Sequence, residues 1–377
     1  MKSKNIPADI RSKSINEAQS EIKEIIDKLE SPEANLKDSM DQYNRMMQLN
    51  YHIQDKFREK AHKIKQSVLD RQDKNLSKKK WNFMTNYSSK LNRIANSTNS
   101  YLKSFFKKED INSYLTKPMK YGIFSGGKKF RSSIVVDTGK IYNIDYKKLI
   151  IIGSAIECIH SYSLIHDDLP SMDNDDLRRG KPSVHKKFNE FTAILAGNSL
   201  LTLAFQILSD RELKLSSNSK IELIKTLSKC AGHSGLAGGQ YFDLTFEKKN
   251  ILKKNIIDMQ KKKTGQLFGF CCESIAIIKG ASLKKRKELK DIGLSIGLLF
   301  QTVDDLIDYR GDSVIVGKPT RNDKKRGKAT LVNLFGYENT ISFAQNLKKK
   351  IDKKIKKYGS KANDLLESVE FILKREF

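Results

Sequence analysis

The sequence lacks the features that mark several common classes of protein. Among its 377 residues there are only four cysteines, Cys158, Cys230, Cys271 and Cys272, and no pair has the CxxC spacing of a zinc or redox site. All four lie in apolar segments. We therefore expect reduced and mostly buried thiols, as in a cytoplasmic protein.

Hydrophobic runs long enough to span a membrane are also missing. The longest apolar run, Leu149 to Ile156, is interrupted by Gly153 and Ser154, whereas a spanning helix needs roughly 20 apolar residues. The first residues, Met1 to Ser14, are polar and contain no hydrophobic signal region. We therefore expect a soluble protein with no membrane partner.

Negative charge is scarce relative to positive charge, and the formal net charge is +27. Such an excess is found in proteins that bind nucleic acids, membrane surfaces or phosphorylated substrates. The alternative is codon bias, because richness in Lys, Asn and Ile is typical of an AT-rich genome. The basic residues are scattered and form no arginine stripe, so we expect no direct nucleic-acid site.

Residues 14–70 are predicted to form a helical hairpin. Ser14-Ile15-Asn16-Glu17 has the pattern of a capping box, and Ser31-Pro32 would end the first helix. The first helix has an apolar stripe made of Ile15, Ala18, Ile22, Ile25 and Leu29. The second helix has a heptad seam made of Leu36, Met40, Tyr43, Met47, Phe57, Ala61, Ile64 and Val68. Because a short hairpin cannot bury such a seam alone, it needs a partner; the alternative is a solvated helical arm.

We predict two domains joined by a short connection. The hairpin domain would comprise residues 1–75, a basic linker residues 76–80, and a second domain residues 81–377. In this second domain prolines are few and strand-like alternation is scarce. We therefore predict an all-α fold with many helices around a central cavity.

Two aspartate clusters stand out in the second domain. The first contains Asp167, Asp168 and Asp173, with Arg178 and Arg179 directly after it. Acidic metal ligands beside paired arginines suit a polyanion site, because metals and guanidinium groups both neutralise phosphate oxygens. The alternative is a charged loop between helices.

The second cluster is an aspartate pair followed by a third carboxylate. Asp304 and Asp308 would share one face of a helix because four residues separate them, whereas Asp305 would point elsewhere. Two carboxylates one turn apart can hold Mg²⁺, which commonly bridges protein carboxylates to phosphates. Taken alone, the pattern is as easily explained by a solvated acidic face.

A glycine-rich stretch provides a third feature. Gly126 and Gly127 precede the cations Lys128, Lys129 and Arg131, so the backbone could approach a phosphate at a helix start. It is not a P-loop, because GxxxxGK[ST] is absent, and an ordinary turn is the alternative. Further landmarks follow in order along the chain: Gly238-Gly239-Gln240 with Asp243, Lys263-Thr264-Gly265, Gly317-Lys318 and Arg326-Gly327-Lys328.

With this set of motifs, the chain from about Trp81 onward resembles the trans-isoprenyl diphosphate synthases, most closely the bacterial farnesyl type. The stretches from Glu157 to Pro170 and from Phe300 to Asp308 carry the resemblance. The resemblance implies an isoprenoid synthase-like helical bundle that forms a homodimer. It also implies three Mg²⁺ ions as cofactor and isopentenyl and allylic diphosphates as substrates.

The resemblance also implies residue roles. The metal ligands and catalytic carboxylates would be Asp167, Asp168, Asp173, Asp304 and Asp308. The metals, with Arg178, Lys263 and Lys318, would stabilise the departing allylic diphosphate, and Thr264 and Gln301 would also bind substrate. Isopentenyl diphosphate would be bound by Lys128, Arg131, His160 and Arg179. No side-chain nucleophile is needed, which fits the absence of a Ser/His/Asp or Cys/His constellation. Lys129 stands where the family usually has Arg, and it could still meet phosphate as a point charge.

Product length is predicted from Tyr162, five residues before Asp167. In this family the product grows down an apolar tunnel beneath the first motif, and an aromatic ring there would stop it at C15. The alternative is an ordinary core tyrosine and a C20 or longer product. A terpene cyclase is less favoured, because Lys128, Arg131 and His160 would supply a second diphosphate site that cyclases do not need.

The hairpin has its own resemblance. Residues 14–70 are similar to the small subunit of bacterial exonuclease VII, which implies a large nuclease subunit as partner. The hairpin carries no catalytic constellation of its own. A different reading of the whole chain is a nuclease-associated binding protein with a decayed synthase domain, although the intact aspartates argue against decay.

Overall fold

The computed structural model describes residues 6–30, 36–69, 74–108, 114–310 and 327–375, without the side chains of residues 36, 37, 58–69 and 74–82. The chain divides into two compact units, Met1–Phe83 and Met84–Phe377. Residues 76–80, the predicted linker, are helical because they lie within the helix Lys74–Lys108. They contain neither Pro nor Gly, and lysine is a good helix former. The predicted domain boundaries stay predictions.

The first unit contains the predicted hairpin, made of the helices α2 (Ile15–Leu29) and α3 (Leu36–Leu69) after a short helix α1 (Ala8–Arg11). The predicted capping box is present at the start of α2. The Ser14 hydroxyl oxygen accepts a hydrogen bond from the Glu17 backbone N–H at 3.2 Å, and the Glu17 carboxylate accepts one from the Ser14 N–H at 2.6 Å. Because both exposed amides find partners, α2 begins where the sequence predicts.

The hairpin core uses the predicted face of α2, but on α3 it is made by residues outside the described part of the predicted seam. The side chains of Leu36, Ala61, Ile64 and Val68 lie outside the described residues. The buried core residues are Ile10, Ala18, Ile25, Leu49 and Ile53, with Ile15, Ile22, Leu29 and Met46 packed against them. On α3, Met40, Tyr43 and Phe57 of the heptad seam are exposed instead. A long helix carries more than one apolar face, and the face with Leu49 and Ile53 is the one that packs against α2.

The second unit is helical apart from one two-residue ladder, which confirms the all-α prediction for the described residues. Its helices are α4 (Lys74–Lys108), α5 (Thr116–Phe124), α6 (Phe130–Ile141), α7 (Tyr146–Asp167), α8 (Val184–Lys187), α9 (Glu190–Ser209), α10 (Ser217–Ala231), α11 (Leu236–Thr245), α12 (Lys253–Gln260), α13 (Gln266–Ile278), α14 (Leu283–Arg310), α15 (Leu331–Phe335), α16 (Tyr337–Ile355) and α17 (Asn363–Lys374). Short 3₁₀ segments are Arg211–Leu213 and Lys356–Ala362, and a π-helical turn covers Lys261–Gly265. The strands β1 (Leu177–Arg178) and β2 (Lys181–Pro182) pair antiparallel.

Two buried helices position the aspartate clusters. Helix α7 packs between α6 and α9, and α14 packs along α13. Close approach is possible because small residues face bulky ones: a Cβ at Gly197 would lie 2.2 Å from Nε2 of His166, and one at Gly293 would lie 2.3 Å from the Phe268 carbonyl oxygen. The first cluster follows the end of α7, and the second lies in the last turns of α14.

Among the residues that the structure describes, two helices, α7 and α9, are long and apolar enough to cross a membrane by length and composition alone. The sequence expectation counted only uninterrupted apolar runs and therefore missed them. The apolar part of α7 is 83% buried inside the protein, as in the core helix of a soluble protein, and that of α9 is 44% buried.

Candidate active site

The first aspartate cluster is folded back on itself by its own backbone. Asp167 is the last residue of α7, and its carbonyl oxygen accepts a hydrogen bond from the Asp173 N–H at 2.8 Å. Asp168 is buried, and the Nε of Arg178 on β1 donates to its two carboxylate oxygens at 3.0 and 3.3 Å. The predicted acidic ligands and the first predicted arginine are therefore brought together.

The second cluster separates its carboxylates as predicted. Asp305 is buried and accepts hydrogen bonds from the amide nitrogens of Gln301 at 2.8 Å and Gln260 at 2.7 Å. This fixes the Gln301 amide, whose oxygen then accepts a hydrogen bond from the Thr264 hydroxyl at 2.7 Å. Asp304, on another face of α14, accepts a hydrogen bond from the Arg375 guanidinium at 2.8 Å.

A shared carboxylate joins two lysines of the site. The Lys263 ammonium, in the π-helical turn, donates to Oδ2 of Asp243 at 2.6 Å. Lys328 donates to the same oxygen at 3.1 Å and to Asp173 of the first cluster at 3.0 Å. Burial alone would raise the pKa of Asp243, but the two lysines outweigh burial and lower the pKa to about 2. Asp243 is therefore a carboxylate at neutral pH.

The residues predicted to bind isopentenyl diphosphate form a cationic cluster. Arg179 donates to the Gly126 carbonyl oxygen, and a Cβ at Gly127, where φ is +95°, would lie 2.4 Å from Arg179 Nη1. Burial, and then the charges of Arg131 and Arg179, hold the pKa of His160 well below its usual value. His160 is therefore neutral at pH 7 and able to donate or accept a hydrogen bond beside fixed cations.

A buried carboxylate, Glu157, accompanies this cationic cluster. Glu157 is 2% exposed, and its carboxylate accepts a hydrogen bond from the Ser132 N–H at 3.3 Å. Its charge opposes the lowering of the pKa of Arg131 that burial causes. Sequence reasoning missed Glu157 as a counter-ion, since its apolar helix gave no sign of which cations it would face.

The two lysines at the start of α6 differ from each other. Lys128 is an exposed residue, and its ammonium lies 5.3 Å from the centre of the Phe371 ring. Lys129 is 5% exposed and donates to the Ile123 carbonyl oxygen at 2.6 Å, so its charge is directed inward. Lys129 caps the start of α6 with a left-handed backbone at φ +47°, and a contact of its ammonium with phosphate stays a prediction.

Tyr162 lies on α7 close to the first aspartate cluster. Its side chain is buried, and its ring meets that of His166 edge-on, with the ring centres 5.4 Å apart. His166 in turn shares a hydrogen bond with the Ile194 carbonyl oxygen of α9 at 3.1 Å. The chain-length role of Tyr162 stays a prediction. Lys318 lies outside the described residues.

The carboxylates fit Mg²⁺ by their donor chemistry rather than by a preformed cage. No group of three His, Cys, Asp or Glu side chains is gathered as a metal site within the described part of the chain. Three of the predicted metal ligands form ion pairs within the chain: Arg178 contacts Asp168, Lys328 contacts Asp173 and Arg375 contacts Asp304. Burial, together with repulsion from Asp173, raises the pKa of Asp167 to about 6 against the attraction of Lys263. A divalent cation would offset the repulsion between Asp167 and Asp173 and favour their ionised forms. Carboxylate oxygen is also the ligand that Mg²⁺ prefers.

Sequence reasoning also missed three polar residues of the site. Asp243 and Lys328 were landmarks without an assigned role, and Arg375 lies in no motif. A signal existed for Lys328, in the Arg326-Gly327-Lys328 string, but nothing in the sequence places Arg375 on Asp304. The Arg375–Asp304 contact joins residues 71 positions apart, and the Lys328–Asp173 contact joins residues 155 positions apart.

Known families match both parts of the chain. The family described as Polyprenyl synthetase matches residues 112–369, more than half of the chain. The family described as Exonuclease VII small subunit matches residues 16–66.

Individual proteins agree with the first match. The chain is 37% identical over 257 residues to a farnesyl diphosphate synthase of Geobacillus stearothermophilus, which covers 67% of this chain and 86% of that protein. The apo structure of an FPP/GFPP synthase from Zymomonas mobilis has a TM-score of 0.68 at 37% identity, over 77% of this chain and 99% of that one. A geranyltransferase from Helicobacter pylori, complexed with magnesium and isoprenyl diphosphate, has a TM-score of 0.65 at 32% identity, over 76% and 96%.

The fold and the paired aspartate clusters therefore define a prenyltransferase with an isoprenoid synthase fold. The chain belongs to the polyprenyl synthetase family, and it is an isoprenyl diphosphate synthase. The resemblance stated from the sequence is confirmed for this part of the chain.

Proposed function

We propose that the enzyme is a farnesyl diphosphate synthase, which condenses dimethylallyl and then geranyl diphosphate with isopentenyl diphosphate. The observation that supports the proposal is the position of Tyr162, which lies on α7 five residues before Asp167 and whose buried ring meets His166 edge-on. A ring at this place would stop a growing chain at C15. The farnesyl diphosphate synthase of Geobacillus stearothermophilus supports the same choice.

The residues of the chain would divide the reaction between two diphosphate sites. The Mg²⁺ ions, three of them by family resemblance, would be held by Asp167, Asp168, Asp173, Asp304 and Asp308. The bound metal supplies Lewis-acid stabilisation to the leaving diphosphate. Lys263, with Lys318 and Arg178, would bind the diphosphate whose C–O bond ionises, and preorganised cations of this kind stabilise the developing charge. Thr264 and Gln301, linked at 2.7 Å, would contact the same substrate.

The second substrate would be held by the cationic cluster. Arg131, His160 and Arg179, with Lys128, would bind the diphosphate of isopentenyl diphosphate and aim its double bond at the allylic carbon. A new C–C bond forms as the allylic C–O bond breaks, and the released diphosphate takes a proton from the adjacent carbon. The reaction therefore needs no side-chain nucleophile.

The test is product analysis with purified protein. Incubation with dimethylallyl diphosphate, isopentenyl diphosphate and MgCl₂ is expected to give farnesyl diphosphate, measured by chromatography of the dephosphorylated products. Asp308→Asn is expected to abolish turnover, and Asp291→Asn, on the same helix α14, to retain it. A C20 or longer product would favour the geranylgeranyl-type alternative. Turnover of the allylic substrate alone would favour a cyclase, and no turnover would favour a binding protein with a decayed domain.

For the hairpin we propose a second role, as an exonuclease VII small-subunit-like arm that binds a large nuclease subunit. The exposed seam residues Met40, Tyr43 and Phe57 support this, because apolar side chains in a row on a helix need a partner. Retention of the large subunit by the immobilised full chain would test it. Tyr43→Lys with Phe57→Lys is expected to abolish retention, and Glu24→Lys with Lys23→Glu on α2 to preserve it. No retention by the unchanged chain would leave the hairpin a passive arm.

The assembly and location are proposed from the same family resemblance. We propose a homodimer in the cytoplasm, and the four free buried cysteines are compatible with a reducing compartment. Light scattering on the purified chain would test the first statement, since a monomer mass would contradict it.

A further inference from the structure

Asp243 holds two lysines that come from different segments of the chain. Its Oδ2 accepts hydrogen bonds from Lys263 of the π-helical turn at 2.6 Å and from Lys328, ahead of α15, at 3.1 Å. The Asp243 side chain is 9% exposed, and that of Lys328 is 10% exposed. The three charged groups therefore lie in a largely desolvated place, where each needs its partner.

The backbone around Lys263 is built for this contact. Helix α11 touches the π-helical turn so closely that a Cβ at Gly239 would lie 2.1 Å from the backbone nitrogen of Lys263. Asp243 follows Gly239 by four residues and therefore lies on the same face of α11. A π-helical turn is rare and is found mostly at functional sites. The carboxylate and the turn together fix where the Lys263 ammonium lies.

Stability alone gives a weak reason for such a triad. Two ammonium groups on one carboxylate oxygen repel each other, and buried ion pairs frequently contribute little net stability. The second contact of Lys328, to Asp173 at 3.0 Å, connects the triad to the first aspartate cluster. The triad therefore lies beside Asp173, a carboxylate proposed to hold Mg²⁺.

We propose that Asp243 is a positioning residue of the prenyl transfer reaction. It holds the Lys263 and Lys328 ammonium groups side by side at the place where the departing diphosphate is bound, and it acts through them without touching the substrate. The inference rests on the proposed function, because it assigns Lys263 to the allylic diphosphate. A small misplacement of such a group is enough to slow a reaction roughly 100-fold.

The charge of Asp243 can be removed at nearly constant size. Asp243→Asn is expected to lower kcat roughly 100-fold and to raise KM for the allylic diphosphate, with KM for isopentenyl diphosphate almost unchanged. Asp243→Glu keeps the carboxylate and is expected to recover part of kcat. The affinity for inorganic pyrophosphate, measured by titration calorimetry with MgCl₂, is expected to fall in Asp243→Asn.

A buried carboxylate on α6 provides the matched control. Asp137 is fully buried and pairs with Lys90 at 2.8 Å, but it lies outside the proposed machinery. Asp137→Asn is expected to change the thermal stability and to leave both KM values and pyrophosphate affinity as in the unchanged enzyme. The same pattern in Asp243→Asn would overturn the inference, as would an equal rise of both KM values.

Failure of the proposed function would be recognised separately. If the unchanged enzyme forms no prenyl product, the proposed function fails, whereas pyrophosphate titration still tests Asp243. Equal pyrophosphate affinity in the unchanged enzyme and in Asp243→Asn would then overturn the inference.

Discussion

The Arg375 guanidinium donates a hydrogen bond to Oδ1 of Asp304 across 2.8 Å, so the end of the last helix contacts the second aspartate cluster. A second Arg375 nitrogen donates to the Phe300 carbonyl oxygen at 3.2 Å, and the guanidinium lies 4.0 Å from the centre of the Phe300 ring. Asp304 is a proposed metal ligand. A cation of the chain therefore lies where a divalent cation would bind.

Removing that cation is expected to strengthen metal binding. In Arg375→Gln, the affinity of the substrate-free protein for Mn²⁺ should rise about 1.4- to fivefold, because a partly exposed ion pair contributes roughly 0.2–1 kcal/mol. Electron paramagnetic resonance of free Mn²⁺ measures this directly. Lys374→Gln is the matched control, since Lys374 pairs with Glu370 at 2.9 Å instead. Unchanged affinity in Arg375→Gln, or an equal rise in both variants, would contradict the competition.

The product length is expected to depend on the ring at position 162. Tyr162→Ala should release products of C20 or longer, because it removes the side chain packed edge-on against His166. It should also lower the free energy of unfolding by about 3 kcal/mol, as aromatic-to-alanine changes in a core do. Tyr162→Phe keeps the ring and should still stop at C15. Chromatography of the products decides, and a C15 product from Tyr162→Ala would show that the floor lies elsewhere.

The packing of α7 on α9 is expected to depend on Gly197. A Cβ there would lie 2.2 Å from Nε2 and 2.4 Å from Cδ2 of His166, so Gly197→Ala must displace the ring on which Tyr162 packs. We expect a loss of about 1–3 kcal/mol in unfolding free energy, measured by chemical denaturation. Gly269→Ala is the milder control, because its nearest atom, Cγ of Leu294, lies 3.3 Å away. Equal losses in the two variants would contradict this explanation.

The stability of the enzyme is expected to depend on pH through Asp137. Burial raises the pKa of Asp137 from 3.8 to about 6, although Lys90 opposes the rise. Because the folded protein binds this proton more tightly, the contribution of Asp137 is full below pH 3.8 and is lost as pH rises through about 6. The Asp137→Asn variant lacks this titrating carboxyl group, so its unfolding free energy lacks this pH-dependent contribution.

Chemical denaturation of the unchanged protein and of Asp137→Asn between about pH 4 and pH 7 would measure the effect. The unfolding free energy of the unchanged protein, relative to the variant, should fall with rising pH by up to about 3 kcal/mol. A constant difference across this range would show that Asp137 keeps the same pKa in both states.

Local sequence patterns predicted the elements that depend on neighbouring residues. The capping box at Ser14 and Glu17 and the shared helix of Asp304 and Asp308 follow from spacings of three or four residues, and the end of α2 at Leu29 follows from the nearby Ser31-Pro32. The basic segment 76–80 is helical, and its role as a linker stays a prediction. Lysine propensity and the lack of a helix breaker favour the helix that is present.

The direction of individual side chains could not be predicted in the same way. Lys128 and Lys129 are adjacent and chemically alike, yet only one is buried on a carbonyl oxygen. The exposed seam of α3 and its buried neighbour face are similarly alike in apolar content. In each case the choice depends on residues that other segments bring into contact.

The sequence by itself determined the family, the reaction class and the positions of the carboxylates, because these rest on motifs with fixed local spacing. Only the tertiary structure decided which cation lies on which carboxylate: Arg178 on Asp168, Lys328 on Asp173 and Arg375 on Asp304. The Lys328 and Arg375 contacts join distant parts of the chain, where helix packing rather than sequence spacing sets the distance. Electrostatic pairing acts through space over a few ångströms, so folding must first bring such groups together.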